Sequence, residues 1–207
     1  MLTSRPYPPS YLLDGAPSTF VAAPDLSAWV RDTFVASDGP LANTSHEHLT
    51  EAHVGFLWTD IANARQGRAI VGQAETGLPM GAMGRWAKAR AVQQVTEWFG
   101  EVPDFIITVE AAYASSCDDA SFCALIEHEL YHCAQERDVF GFPKFSKNGR
   151  PKFTIRGHDV EEFVGVVARY GMAATGVSEL VRVANKGPEI AAASIAHACG
   201  TCLARTA

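Results

Sequence analysis

The sequence predicts an α+β fold, in which a small, mostly antiparallel sheet packs on one central helix and on further helices. Two kinds of pattern support this prediction. Short segments rich in β-branched and aromatic residues, bounded by Pro or Gly, indicate strands. Longer segments with apolar residues three and four positions apart indicate helices. The most informative helical segment begins near Asp118 and contains the pattern H-E-x-x-H at His128–His132.

The first quarter of the chain holds one predicted helix and one predicted strand. Residues 1–24 are rich in Pro, Ser and Ala, and we expect them to form a flexible N-terminal extension. A cap signal at Pro24 and Asp25 precedes four apolar residues on one helical face, which predicts an amphipathic helix. These four residues are Leu26, Trp29, Val30 and Phe34. The segment Val54–Trp58 is predicted to be a strand.

The middle of the chain combines two more predicted strands with a glycine-rich stretch. Ala69–Ala74 and Asp104–Glu110 are both apolar and bounded by Gly or Pro, so we expect both in the sheet. Between them, Gly77–Gly100 contains a glycine-rich loop and then an amphipathic helix. The apolar face of that helix is formed by Val92, Val95 and Phe99. We expect this stretch to be either a lid over a cleft or a plain surface helix.

The predicted central helix begins about halfway along the chain. The polar cluster Ser115–Asp119 supplies N-cap residues. The helical spacing that follows meets no Pro or Gly before Gly141. Pro151–Ile155 is predicted to be a short strand, and Val160–Arg169 a second helix that begins close behind it.

These elements divide the chain into three parts. Residues 1–24 form the extension, residues 25–175 form one folded domain, and residues 176–207 form a C-terminal helical segment. In the last part, helices are predicted over Ser178–Val183 and Ile190–Leu203.

The H-E-x-x-H pattern indicates a metal site. Residues four apart on a helix lie on the same face, so His128 and His132 can present two imidazole nitrogens to one metal ion. Glu129 directly follows His128, and its carboxylate can reach a water bound to that ion. Two His ligands with an adjacent carboxylate are the arrangement of zincins, in which the carboxylate is the general base of a hydrolysis. The pattern therefore predicts a Zn²⁺ site with Glu129 as the base on a zinc-bound water.

A catalytic zinc ion needs a third protein ligand, and the sequence offers several candidates. His158 lies at the predicted start of the second helix and is our first choice. Glu162 lies four residues further on the same face, as in gluzincins, and ranks second, while Glu161 is less well placed. Asp138 falls where the metzincin pattern puts its last ligand. Gln135 replaces the Gly that turns the chain in that pattern, so Asp138 ranks third.

The order of these motifs resembles the putative phage metallopeptidase domain family over roughly residues 25–175. That family is found in phages and in bacteria that carry prophages. The segments that carry the resemblance are His48-Leu49, Ala52–Trp58, Asp104–Glu110, His128–His132, His158–Phe163 and Arg169–Gly171. The His128–His132 motif and the His158–Phe163 segment are specific when they occur together.

The resemblance implies a zinc-dependent, zincin-like metallopeptidase domain with His128, His132 and His158 as ligands, and it names no substrate. Together with Glu129 as the base, it predicts a metallohydrolase that acts on a protein or peptide. One alternative is a distantly related SprT-like peptidase acting on DNA-bound proteins, which would need a basic surface. The non-enzymatic alternative is a zinc-stabilised interaction protein of a phage or prophage, which four protein ligands on the metal would favour.

Composition and charge restrict the classes of function. Hydrophobic residues make up 47% of the chain and charged residues 19%, which suffices for a folded core. No apolar run reaches about eighteen residues, so no membrane-spanning helix is expected. The N-terminus lacks the pattern of a signal peptide, and we expect a cytoplasmic location, in the host cell if a phage encodes the protein. The net charge of −6 and the absence of an evident cluster of Lys and Arg argue against broad nucleic-acid binding, although the fold could gather a local basic patch.

The cysteines and the remaining histidines are predicted to be structural. Five Cys in a cytoplasmic context argue against a disulfide framework. Cys123 and Cys133 lie on the metal helix, and we expect them to be small core residues. Cys199 and Cys202 form a lone C-x-x-C and are expected to belong to a C-terminal helix rather than to a metal or redox site. The other histidines predicted to be surface or packing residues are His46, His48 and His53.

Overall fold

The computed structural model describes residues 4–14, 19–65, 68–78, 83–160, 164–171, 177–191 and 193. The strands in these ranges are β1 (Phe20–Ala22), β2 (Val54–Thr59), β3 (Asn63–Arg65), β4 (Arg68–Ile70), β5 (Gly72–Thr76), β6 (Phe105–Glu110), β7 (Cys133–Gln135) and β8 (Phe153–Ile155). The α-helices are α1 (Pro24–Val30), α2 (Arg85–Phe99), α3 (Ala111–Ser116), α4 (Asp119–His132), α5 (Val164–Tyr170) and α6 (Ser178–Lys186). A π-helical turn, Arg31–Val35, extends α1, and a 3₁₀ helix spans Thr44–Glu51.

Four of the described strands form one mixed sheet in the order β1-β2-β6-β5. The central strands β2 and β6 are parallel, while β1 and β5 pair antiparallel with them at the two edges. The predicted α+β class is confirmed. Two of the three strand pairings in this sheet are antiparallel, as predicted, and the parallel central pair makes the sheet mixed. The parallel pair arises because the chain leaves β2 and returns to β6 through a long crossover that contains α2. In the same described ranges, β3 pairs with β4 and β7 with β8 as separate two-stranded ribbons.

Helices cover both faces of the sheet, so neighbouring residues of β2 and β6 alternate between two apolar cores. α1 and α4 pack on one face, with the side chains of Phe56, Trp58, Phe105, Ile107, Phe122 and Leu125 between them and the sheet. α2 packs on the other face through Val95, Trp98 and Phe99. The lid interpretation of Gly77–Gly100 is therefore wrong, because its helix lies on the face opposite α4.

The metal helix α4 begins as predicted and ends earlier than its uninterrupted spacing suggested. The Asp118 carboxylate accepts hydrogen bonds from the Ser121 N–H at 2.8 Å and from the Ser121 hydroxyl at 2.9 Å, which caps the helix. The helix stops at His132 because the chain continues as β7, in which Cys133 pairs with Ile155 of β8. The spacing of apolar residues within the helix cannot indicate a pairing partner that lies about twenty residues later in the chain.

The other predicted elements match the structure to differing degrees. The predicted strands that became β2, β6 and β8 are correct to within two residues. The predicted strand Ala69–Ala74 breaks at Val71, since β4 turns back on β3 while β5 joins the main sheet. The predicted helix Ile190–Leu203, with Cys199 and Cys202, lies outside the described residues apart from residues 190, 191 and 193. None of the described helices combines the length and apolar character that a bilayer crossing requires.

The N-terminal segment contacts the domain through Arg5, which is only 6% exposed. Its guanidinium donates hydrogen bonds to the Asp119 carboxylate at 2.6 Å and to the carbonyl oxygens of Ala114 at 2.7 Å and Cys117 at 2.8 Å. It also lies 4.4 Å from the ring centre of Phe122 on α4. The described part of the segment expected to be a flexible extension is thus attached to the corner between α3 and α4. The domain boundaries stay a prediction.

Replacing Arg5 by Ala should lower the free energy of unfolding by about 2–3 kcal/mol, because two carbonyl oxygens lose their donor and the Phe122 ring loses its cation. Urea denaturation followed by circular dichroism measures this loss. Arg5→Lys keeps the charge without the forked geometry and should recover only part of the stability. The exposed Arg31→Ala is a matched control, expected to stay within about 0.5 kcal/mol of the wild type. An equally small effect of Arg5→Ala would contradict the anchoring role.

Candidate metal centre

Three histidine side chains from two parts of the chain come together beside α4. His128 and His132 lie in the last turns of that helix, and His158 lies in the loop after β8. The Nε2 atom of His128 is 3.2 Å from the Nε2 of His132 and 3.2 Å from the Nε2 of His158. One ligand atom from each of the three lies within 4.8 Å of the others. In the described ranges this is the one such group of His, Cys, Asp or Glu side chains.

These distances fit a tetrahedral zinc ion. With Zn–N bonds of about 2.0–2.1 Å, tetrahedral geometry puts two ligand nitrogens roughly 3.3–3.4 Å apart. The two Nε2–Nε2 distances that involve His128, both 3.2 Å, are close to that value. Three imidazoles leave one coordination position for water or substrate, as in catalytic zinc sites. The group can therefore hold a metal ion, and its donor set suits zinc while also suiting copper, iron or nickel.

His132 is held by two hydrogen bonds to Arg156. The Nδ1–H of its ring donates to the carbonyl oxygen of Arg156 at 2.6 Å, and the main-chain N–H of Arg156 donates to the His132 carbonyl oxygen at 2.9 Å. Donation from Nδ1 leaves the Nε2 lone pair available to a metal. The same two bonds attach the end of α4 to the chain just before His158. They therefore place the third histidine relative to the other two.

Glu129 is fully buried between the metal helix and strand β5. A Cβ atom at position 72 would lie 3.1 Å from Oε1 of Glu129 and 2.8 Å from Cδ1 of Leu125. Gly72 therefore allows β5 to approach α4 more closely than a residue with a side chain would allow. This contact brings the edge of the sheet beside the carboxylate.

Glu127, which directly precedes the motif, and Tyr131, which lies within it, share a neighbouring face of α4. The side-chain amide of Asn43 donates hydrogen bonds to the Glu127 carboxylate at 2.7 Å and to the Tyr131 hydroxyl at 2.9 Å. The buried His46 ring packs edge-on against Tyr131, and its Nε2 is 3.8 Å from Glu127, an ion-pair distance rather than a hydrogen bond. The His46 ring and the Asn43 amide hold the pKa of the Glu127 carboxyl below its usual value, against the opposing effect of burial. This cluster anchors the outer face of α4.

The lower-ranked ligand candidates lie elsewhere or outside the described residues. Asp138 is not part of the histidine group, because α4 has already ended and the chain has turned into a hairpin. Its carboxylate accepts hydrogen bonds from the N–H groups of Phe140 at 2.8 Å and Phe142 at 3.0 Å. Glu161 and Glu162 lie outside the described residues, so the Glu162 alternative stays a prediction.

The other histidines and the described cysteines of α4 and β7 have packing or surface roles, as predicted. The His48 ring donates from Nε2 to the Cys133 carbonyl oxygen at 2.7 Å, and the His53 ring contacts the Glu101 carboxylate at 2.9 Å. Burial raises the pKa of the Cys133 thiol well above its ordinary value and that of Cys123 to about 11. Thiols in such surroundings are unreactive at neutral pH.

Sequence reasoning missed two residues that position the site. Gly72 had a detectable signal, since an isolated Gly inside a strand pattern often marks a close backbone approach. Arg156 had none, because its contribution to His132 comes from main-chain atoms that every residue type possesses.

Comparison with known protein families gives a match for this chain. A model of the family described as "Putative phage metallopeptidase" matches residues 27–185, which is more than three quarters of the chain and includes the three histidines and Glu129. No curated protein and no solved structure gave a significant match. The chain therefore belongs to the putative phage metallopeptidase family, as the order of its motifs suggested.

Proposed function

We propose that the protein is a zinc-dependent metallopeptidase with His128, His132 and His158 as metal ligands and Glu129 as general base. The observation that carries the proposal is the group of three imidazoles, in which the Nε2 of His128 lies 3.2 Å from that of His132 and 3.2 Å from that of His158, beside a buried carboxylate on α4. A protein or peptide substrate is supported by the family, whose name describes metallopeptidases.

A zinc ion held by three imidazoles supplies a Lewis acid and lowers the pKa of a water to about 7. Glu129 follows His128 directly on α4, so its carboxylate can accept a proton from the attacking water and deliver it to the leaving amine. Because the Glu129 side chain is fully buried, bulk water does not compete for its oxygens. Gly72 lies against this side chain and limits where the carboxylate can lie.

His132 contributes a fixed tautomer as well as a ligand atom. Its Nδ1–H is occupied by the Arg156 carbonyl oxygen, and its ring is only 2% exposed. His158 is exposed and lies at the open side of the group, so substrate and solvent reach the centre from that side.

The first prediction from this proposal concerns metal content. Purified protein should bind about one Zn²⁺ per chain, and His128→Ala or His132→Ala should abolish this binding. Elemental analysis after dialysis measures it. His53→Ala removes an imidazole outside the group and should keep the full zinc content. If both ligand variants also keep full zinc, the site lies elsewhere.

A second prediction tests the base. Glu129→Gln keeps the side-chain shape but removes the proton acceptor, so hydrolysis of a fluorogenic protein substrate should fall by about 100-fold or more with zinc retained. Glu127→Gln is the matched control, since that carboxylate contacts Asn43 and His46 instead, and most of the rate should survive. An unchanged rate in Glu129→Gln would refute the hydrolytic mechanism and favour the interaction-protein alternative.

A third prediction separates the candidates for the third ligand. His158→Ala should weaken zinc affinity by orders of magnitude, because a direct ligand is lost. Asp159→Ala and Glu162→Ala should weaken it by about 10- to 100-fold at most, and Asp138→Ala should have no effect. Titration against a competing chelator measures each affinity. A site of the gluzincin type would reverse the effects of the His158 and Glu162 variants.

A further inference from the structure

The chain between β7 and β8 forms a long hairpin that begins directly after the metal helix. We call residues 136–152 the ribbon hairpin. Its ends are joined by the pairing of Gln135 with Phe153, and it turns twice, with isolated main-chain bridges at Arg137–Pro143 and Phe145–Pro151. The first turn is ordered by Asp138, whose carboxylate accepts two main-chain N–H groups.

The ribbon hairpin exposes a group of large apolar side chains. Val139 is 92% exposed, Phe140 82%, Phe142 67% and Phe145 54%. Three of these four are aromatic rings that lie within six residues of one another. An ordered turn that presents rings to solvent indicates a surface with a binding role rather than a packing role.

The charge of the ribbon hairpin opposes that of the whole chain. Its five cations, Arg137, Lys144, Lys147, Arg150 and Lys152, outnumber its two carboxylates, Glu136 and Asp138, which gives a formal charge of +3, and no Asp or Glu follows Asp138 within the hairpin. The chain as a whole has a net charge of −6. The positive charge is therefore concentrated where the aromatic rings are exposed.

Carboxylates at the base of the ribbon hairpin neutralise only some of these cations. Lys144 pairs with Glu136 at 2.6 Å, Arg150 approaches Asp104 at 3.5 Å, and Arg156 pairs with Asp159. The cations that take part in no ion pair with another described residue are Arg137, Lys147 and Lys152. Arg137 donates one N–H to the Gly141 carbonyl oxygen and retains further donors.

A shallow cavity of about 410 Å³ continues the positive surface along the outer face of β7 and β8. Most of its lining side chains can donate a hydrogen bond, and none of the described residues that line it is a carboxylate. The donors are Ser45, Gln135, Arg137, Thr154 and Arg156. Such a lining suits phosphate groups.

We propose that the ribbon hairpin and this cavity bind single-stranded nucleic acid. Exposed Phe rings provide stacking platforms for bases, and Lys and Arg contact the phosphates. The cations extend from the turns along the ribbon to the cavity at its base, which suits a linear polyanion. A lipid surface would meet only the apolar turn and leave the cavity unused. The negative net charge of the whole chain does not oppose this assignment, because a bound phosphate interacts mainly with charges within about 10 Å of it.

The test is fluorescence anisotropy of the full-length protein with a labelled oligothymidylate of about twenty nucleotides at low salt. The wild type should bind, and the double variant Phe140→Ala with Phe142→Ala should bind at least about tenfold more weakly, because two stacking platforms are lost. The double variant Lys147→Ala with Lys152→Ala should flatten the log–log dependence of affinity on salt by about 0.7 for each cation removed. Circular dichroism checks that each variant is folded.

Matched controls lie on α2, which packs on the face of the sheet opposite α4. Trp86 is 83% exposed, and Lys88 and Arg90 are exposed cations on the same helix. Trp86→Ala and the double variant Lys88→Ala with Arg90→Ala should leave the affinity unchanged. His128→Ala should lose zinc but keep nucleic-acid binding, so the outcome is separate from that of the proposed peptidase.

The proposal is overturned if the wild type does not bind the oligonucleotide, or if the ribbon variants bind as well as the α2 controls. Suppose a duplex of the same length binds equally well and the Phe variants have no effect. The interaction is then nonspecific electrostatic attraction, and the proposal is overturned as well.

Binding to vesicles of phosphatidylserine and phosphatidylcholine tests the membrane alternative. Vesicle binding that needs Phe140 and Phe142, without oligonucleotide binding, would assign the surface to membranes instead.

Discussion

The geometry of the candidate metal centre depends on the paired hydrogen bonds between His132 and Arg156. One bond joins the His132 ring to a main-chain carbonyl oxygen, and the other joins two main-chain groups. The first sets the tautomer of the His132 ring, and the second sets where the chain that leads to His158 leaves the helix. This pair of bonds therefore fixes both the tautomer of one candidate ligand and the position of another, which is what preorganisation of a metal site requires.

The last turns of α4 are also held from two sides. On one side Gly72 lets β5 pack directly against Leu125 and Glu129. On another side the polar cluster of Asn43 and His46 contacts Glu127 and Tyr131. Since packed interiors resist small displacements, the helix has little freedom to move relative to the sheet. This packing fixes the position of the buried carboxylate relative to the nitrogens of His128 and His132.

Local patterns in the sequence predicted those parts of the site that lie within one element. The spacing of His128, Glu129 and His132 predicts their arrangement because helical geometry alone determines it. The cap at Asp118 was predictable for the same reason. His158 was ranked first because it lies at the start of the predicted second helix, and the motif order supported that choice. The structure instead places it in the loop after β8, and the β7–β8 pairing brings that loop to the end of α4.

What the sequence did not predict depends on contacts between distant segments. The end of α4 at His132 results from pairing with a strand some twenty residues later, and the parallel centre of the sheet results from the crossover. Three-residue strands such as β1 and β7 are too short to show alternation. The anchoring of Arg5 needs three acceptors from α3 and α4 that no linear pattern brings together. The basic character of the ribbon hairpin is present in the sequence, but whole-chain charge conceals it.

The pairing of Gln135 with Phe153 gives this fold a segment whose length can change. The chain between these two residues begins and ends at neighbouring points in space, so its length hardly affects the segments that carry the three histidines. Doubling such a loop costs only about 0.6 kcal/mol of closure entropy. Insertions, deletions and new sequences can therefore accumulate here while the histidines stay in place. Recognition and chemistry can then diversify at different rates within a single polypeptide.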